Sequence, residues 1–270
     1  MAVSETDING AEIAKWDPGL TKRVVGLFRP IVKWYFRSEV RGLDRLPPGG
    51  VLVVANHSGG FLPMDPPVFA VDFYEKFGYD RPIYFLTHDI MLVGPTAELL
   101  RRIGAIHANR DNAAKALRAG AVVMVFPGGD YEAYRPTWSR NVVDFCGRTG
   151  YARTAIDAGV AIVPVVFIGG QENQLYLSRG TLLARALRLN KLLRSEILPI
   201  TFGFPFGLSL VGPPNMPLPT KIVAQVLAPI DIVAQFGEDP DVDEVDVHVR
   251  HVMQKGLDEL AAKRRFPILG

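Results

Sequence analysis

The sequence predicts an α/β fold: a largely parallel mixed sheet flanked by helices, preceded by an N-terminal amphipathic helical segment. Two observations carry this. Five short runs rich in valine and isoleucine are each bounded by glycine or proline, as fully buried strands are, and helical segments lie between them. A third observation sets the scale: 270 residues, 48% hydrophobic and 21% charged, are enough for one substantial core.

Taken in order, the first residues (MAVSETDINGAEIAKWDPG) mix charges and have no apolar stretch, so a loosely ordered lead is expected rather than a secretory signal. From Pro18 to Ser38, Lys22, Arg23, Arg29, Lys33 and Arg37 alternate with apolar residues and have no acidic companion. The spacing is helical, with a kink expected at Pro30. Such a basic amphipathic face suits an anionic bilayer surface, and it equally suits a helix that covers a core and turns its arginines to water. The expected strands are Gly49–Asn56, Pro82–Thr87, Gly104–Arg110, Gly120–Gly129 and Gly159–Gly170, with helices over Pro66–Phe77, Pro95–Ile103, Asp111–Ala119 and Val142–Ala158. A second basic amphipathic segment, Leu182–Arg194, is followed by an apolar stretch from Ile197 to Pro214. Its prolines and glycines make that stretch a poor membrane span. A last strand within Thr220–Ile232 and a C-terminal helix complete the chain. The expected organisation is a lead and helical segment over 1–45, then one domain over 46–270 with a flap at about 177–219.

A formal charge of +2 gives no argument for nucleic acid. The single Cys146 excludes an internal disulfide and no Cys/His array suggests zinc, so an intracellular setting is expected. In a parallel sheet, sites are built at strand ends. Three strands end conspicuously, in Asn56-His57, in Arg110, and in Phe126-Pro127-Gly128-Gly129. His57 has the chemistry of a general base, and Asp65 can orient it if a turn at Gly59-Gly60 folds the chain back. A plain structural hydrogen bond is the alternative. No Gly-x-Ser-x-Gly elbow supplies a nucleophile, so the histidine would activate a substrate hydroxyl directly. His88 and His107 lack the spacing of a metal pair, and no metal site is expected.

In order along the chain, Asn56-His57 with Leu62-Pro63-Met64-Asp65, the block Ile103–Arg110, the block Phe126–Pro136 and Ala161–Val165 resemble the four motifs of the glycerolipid and lysophospholipid acyltransferase family. Seven residues separate His57 from Asp65, more than in the family's common form, and Gly128 stands where the third motif usually has glutamate. This form looks closest to the diacylglycerol and monoacylglycerol acyltransferase-like branch, and it points away from lysophosphatidate towards a neutral or unusual acceptor. The resemblance implies transfer of a fatty acyl group from acyl-CoA or acyl carrier protein to a lipid hydroxyl, with no cofactor and no acyl-enzyme, at the cytoplasmic face of a membrane as a peripheral enzyme. It implies His57 as base and Asp65 as the group that fixes its tautomer. Arg110 would bind a phosphate of acceptor or coenzyme, unless it is a surface ion-pair residue. Phe126, Pro127, Gly128 and Gly129 would form the third motif, the glycines letting backbone N–H groups approach an anion, though a plain turn explains them equally. Glu132 and Arg135 would complete the acceptor site, Glu132 being otherwise a solvated first-turn residue. Pro164 would shape a strand, and Gly169, Gly170 and Glu172 would rim the pocket. A thioester or lipid ester hydrolase and a non-catalytic acyl-lipid-binding protein remain as alternatives.

Overall fold

The computed structural model describes residues 12–59, 64–189, 196–210, 215–266 and 268. Helix α1, Pro18–Pro30, begins where Asp17 caps it: the Asp17 carboxylate accepts from the Leu20 N–H at 2.9 Å, and Pro18 occupies the first turn, where no donor is missed. At Pro30 the expected kink takes the form of a change of helix type, and Ile31–Tyr35 continues as a wider π turn.

Strands β1 (Glu39–Arg41), β2 (Val51–Ala55), β3 (Ile83–Thr87), β4 (Ala105–His107), β5 (Val122–Val125), β6 (Ile162–Ile168) and β10 (Val223–Val226) form a seven-stranded sheet in the order β1-β10-β6-β2-β5-β3-β4. The five strands from β6 to β4 run parallel, and β10 turns antiparallel against β6, with β1 alongside it. This is the largely parallel mixed sheet that the sequence predicts. Every residue of β2 and β6 is buried, which is why both read as unbroken apolar runs rather than alternating ones. On one face α1, with Val25, and α2 (Asp65–Phe77), with Phe69 and Phe73, cover Val51, Val53 and Val163. On the other, α4 (Arg110–Arg118), α6 (Gly150–Ala158) and α9 (Val242–Ala262) cover Leu52, Val54, Ile162 and Val166. The shorter helices are α3 (Ala97–Arg102), α5 (Gly129–Ala133), α7 (Thr181–Ala186) and α8 (Ile232–Phe236).

Two expectations need correction, and a third segment takes a form that the sequence did not specify. The helix expected over Val142–Ala158 forms only from Gly150, because Asn141, Cys146 and Gly147 take positive φ values of 62°, 53° and 70°, which an α-helix does not accommodate. The strand expected through Arg110 stops at His107; Asn109 then caps α4, accepting from the Asn112 N–H at 2.8 Å, and Arg110 becomes its first residue. The apolar stretch after residue 196 is partly a hairpin: β8 (Ile200–Gly203) and β9 (Gly207–Ser209) join β7 (Leu175–Ser178) in a second, antiparallel sheet in the order β7-β8-β9. Of the second basic segment, Thr181–Ala186 is helical, and its residues 190–194 lie outside the described residues. No helix among the described residues is long and apolar enough to cross a membrane.

Candidate active site

The site grows from the carboxyl end of β2. Just beyond the strand, the Asn56 amide donates to the Phe167 carbonyl (3.0 Å) and accepts from the Phe167 N–H (2.8 Å), so a side chain extends the β2–β6 ladder and fixes the direction in which the chain leaves it. His57 follows. Asp65, fully buried at the start of α2, returns to it: Asp65 Oδ2 lies 3.1 Å from His57 Nδ1 and accepts from the Ser58 N–H at 2.9 Å, while Oδ1 accepts from the Ser58 hydroxyl at 2.5 Å. A carboxylate there places the proton on Nδ1 and leaves Nε2 as the acceptor. No described group bonds Nε2. The long spacing between the two residues therefore does not prevent their meeting. Gly59 has φ +106°, and a Cβ on it would stand 2.4 Å from Gln171 Cγ, so the turn requires glycine here. Gly60, Leu62 and Pro63 lie outside the described residues.

A second carboxylate lies beneath the histidine. Glu132 in α5 is fully buried; its Oε2 accepts from the His57 backbone N–H at 3.0 Å, and its Oε1 accepts from the Asp144 N–H at 2.9 Å and lies 3.0 Å from Arg135 Nη2. Burial pushes this carboxyl above the usual carboxylate range against the opposing pull of Arg135, the two N–H donors and His57. Burial likewise holds Arg135 below its ordinary value, with Glu132 opposing. The substitution in the third motif now has a physical reason. A Cβ on Gly128 would stand 2.2 Å from Glu132 Cγ and 2.4 Å from Glu132 Oε2, so the glutamate occupies the space that a side chain at 128 would enter.

The remaining expected residues divide. Phe126 stacks on the His57 ring with centroids 4.1 Å apart and planes 6° from parallel, which fixes the imidazole plane. The Pro127 and Gly128 carbonyls accept from Arg148 Nη1 at 3.1 Å each, and the Gly129 N–H donates to the Phe126 carbonyl at 3.0 Å, so that donor serves the turn. Glu132 and Arg135, expected to reach the acceptor, are instead buried and paired with each other; of the two, Arg135 also lines a cavity beside His57. That cavity, about 10 Å³ and so about one water in size, is bounded by Ser58, Arg140, Gln171 and Glu172 among others. Gly169 lines it too, and the Gly170 N–H donates to the Ser58 hydroxyl at 3.2 Å. Pro164 sits within β6, opposite Val54. Arg110 lines a different and larger cavity of about 650 Å³ with Thr149, Gly150, Arg153 and Asp239; the two cavities share no residue. Sequence reasoning missed Ser58, Arg140 and Gln171. Ser58 adjoins His57 in the sequence and Gln171 lies between Gly170 and Glu172, both expected at the rim, so these two were open to inspection, whereas Arg140 follows a short turn, Thr137–Ser139, and carries no local signal.

A family model described as Acyltransferase matches residues 37–168, which contain His57, Asp65, Arg110 and Glu132. An uncharacterised protein of Mycobacterium leprae is 31% identical over 266 residues, covering 94% of this chain and 69% of its own. A mouse protein named DGAT1/2-independent enzyme synthesizing storage lipids is 29% identical over 214 residues, covering 79% of this chain and 62% of its own. Among solved structures, the 1-acyl-sn-glycerophosphate (LPA) acyltransferase PlsC of Thermotoga maritima superposes with a TM-score of 0.54 over 90% of this chain and 81% of its own, at 18% identity, a likeness of fold. A family match that spans all the motif residues, a relative 31% identical along nearly the whole chain, and a histidine held by a buried aspartate at a strand end together show that this chain belongs to the acyltransferase family.

Proposed function

We propose that this protein is a membrane-associated O-acyltransferase that moves a fatty acyl group from a thioester, acyl-CoA or acyl carrier protein, to the hydroxyl of a neutral glycerolipid. The observation that carries the reading is the His57–Asp65 pair: Nδ1 is engaged by a buried carboxylate, no described group engages Nε2, and His57 lines a cavity. In this reading Nε2 takes the proton of the acceptor hydroxyl as its oxygen attacks the thioester carbonyl. The tetrahedral intermediate then expels the thiolate, which receives the proton from the imidazolium, so the acyl group passes directly and no acyl-enzyme forms. Asp65 holds the tautomer and stabilises the imidazolium; Phe126 and the Glu132 contact to the backbone N–H hold the ring in place. Alignment of two bound substrates supplies much of the rate.

A neutral acceptor is favoured because Arg110, the cation expected to meet an acceptor phosphate, lines a cavity separate from that of His57. The name of the mouse relative, a storage-lipid enzyme, points the same way. Residence at the cytoplasmic membrane face follows in this reading from the lipid nature of both substrates. The test is to incubate the purified chain and liposomes with radiolabelled palmitoyl-CoA and, separately, glycerol 3-phosphate, lysophosphatidate, monoacylglycerol, diacylglycerol and a long-chain alcohol, beside a His57→Ala control. A labelled glyceride formed from monoacylglycerol or diacylglycerol and lost in the variant is the expected result. Free palmitate alone would replace the reading with a hydrolase, and acyl-CoA binding without turnover would replace it with a binding protein.

A further inference from the structure

The 24 residues from Ile197 to Thr220 contain no charged side chain, and much of what the structure describes of them faces outward. Across the small sheet, Leu175, Phe202 and Leu208 are register partners on successive strands, so their side chains share a face, and all three are exposed. At the turn of the hairpin, Phe204 is 75% exposed and Phe206 half exposed. Isolated exposed apolar residues are ordinary, but a continuous row leading to an aromatic tip is not.

This surface is joined to α1. The Phe204 carbonyl accepts from the Met216 N–H at 2.8 Å, and one residue on, the Pro217 carbonyl accepts from the Tyr35 hydroxyl at 2.6 Å. Next to Tyr35 stands Trp34, 76% exposed. Along α1 and its π turn, Arg23, Leu27, Ile31 and Trp34 follow one another at helical spacing as an exposed stripe. Lys22 and Arg23 are exposed and form no ion pair among the described residues, and no acidic residue occurs between Pro18 and Ser38. The surface is also tied to the rim of the His57 cavity: the Leu218 N–H donates to the Asn173 carbonyl at 2.6 Å, two residues beyond Gln171.

We propose that the β8–β9 hairpin and the outward stripe of α1 form one surface that seats this protein on an anionic lipid bilayer. Aromatic and aliphatic side chains enter the acyl boundary, and Lys22 and Arg23 meet the headgroup charge. An uncharged hairpin beside a purely basic helix fits a bilayer better than a protein partner: bilayer contact needs an apolar wedge and flanking cations but no matched polar partners. The proposal rests on the lipid acyltransferase reading for its purpose, delivery of lipid substrate to the rim of the cavity, and on the exposed surface for its evidence.

The experiment is flotation of the full chain with phosphatidylcholine vesicles, with and without phosphatidylglycerol. The variants are Phe204→Ser with Phe206→Ser, Lys22→Glu with Arg23→Glu, and Val247→Ser as a control at an exposed apolar position on α9. Circular dichroism checks the fold, and transfer between short-chain soluble substrates checks the site. Wild type should float with anionic vesicles. The hairpin variant should lose about ten-fold or more in partitioning, and the charge variant should lose the preference for phosphatidylglycerol, with the control unchanged. Wild type that stays at the bottom while active on soluble substrates, or a hairpin variant that floats like wild type, overturns the proposal. So does a hairpin variant that merely converts a dimer to a monomer in light scattering, because the surface would then join copies of this chain. A wild type that floats but transfers no acyl group even to soluble acceptors would sink the enzymatic reading and leave the surface standing.

Discussion

Two histidines of this molecule look alike and differ in what they can do. His57 and His107 both stand at carboxyl ends of parallel strands, β2 and β4; each presents Nδ1 to a carboxylate, and each has its backbone N–H on a carboxylate. At His107 a single acid serves every purpose. Glu12 lies 2.5 Å from Nδ1, accepts from the His107 N–H at 3.2 Å and from the Asn112 amide at 2.9 Å, and pairs with Arg101 at 3.3 Å, while Nε2 lies 4.0 Å from Asp89. At His57 two acids divide the work: Asp65 holds the ring and Glu132 the backbone. Nε2 has no described partner, and the residue lines a cavity. A histidine bonded to a carboxylate is thus no sign of chemistry by itself. The second nitrogen must also be free and must have somewhere to act. The His107 pair does different work: it ties residue 12, ahead of the first helix, to the sheet.

The sharpest way to break this comparison is to remove the rings. His57→Ala should lower acyl-transfer kcat by about 10³-fold, the middle of the range for a general base, whereas His107→Ala should leave kcat within about three-fold of wild type at equal folded fraction. Equal losses in steady-state assays would mean that the two sites were wrongly separated. Next comes Asp65→Asn, which keeps the shape but removes the charge that stabilises the imidazolium; we expect roughly 10²-fold loss in kcat with KM nearly unchanged.

Glu132→Gln should act on stability. An amide accepts with only one of its ends, so one of the bonds to His57 and Asp144 is lost, at about 1–2 kcal/mol. The pH dependence sharpens this. Burial raises the carboxyl, so the folded chain keeps that proton at a pH where the unfolded chain, with its ordinary value of 4.5, has released it. The stability so contributed is complete below 4.5 and is lost as pH rises through the raised folded value. Hence the margin of wild type over Glu132→Gln, measured by urea unfolding across the acidic range, should shrink as pH rises; a growing margin would show that attraction to Arg135 outweighs burial. Smallest is Glu12→Gln: about 1 kcal/mol in unfolding free energy, with acyl transfer unchanged.

Much of this was legible because buried parallel strands write themselves as runs of Val and Ile, and because Asn56, His57 and Asp65 lie close in sequence. β1 was not legible: Glu39-Val40-Arg41 has no apolar run, and its pairing partner is distant in the chain. The role of Glu132 was hidden for the same reason. Its carboxylate closes on a backbone N–H 75 residues away, and no local pattern announces that. The clue present was negative: glycine at 128, read as room for an anion, is room for the chain's own glutamate. Residues 142–149 read as helix because they contain apolar side chains, but the positive φ values at Cys146 and Gly147 impose turns that composition does not reveal. The hairpin of β8 and β9 was recognised only as a stretch broken by Pro and Gly, since its strands bury little and so leave no alternation to read.

The outer edge of the large sheet has a consequence for how the molecule comes into being. β1 pairs with β10, and the Arg37 side chain just before it donates to the carbonyls of Pro219 and Ile268, at 2.7 and 2.9 Å. The segment that carries β1 is thus fastened by chain 182 residues further on. α1 has a second hold, on α2, where Arg29 pairs with Glu75 and Lys33 of the π turn pairs with Asp72. During synthesis the sheet can grow from β2 onward and α1 can settle on α2, but the ladder of β1 waits for β10. β10 works as a latch, and a chain cut short of it would leave β1 unpaired, with α1 held through α2.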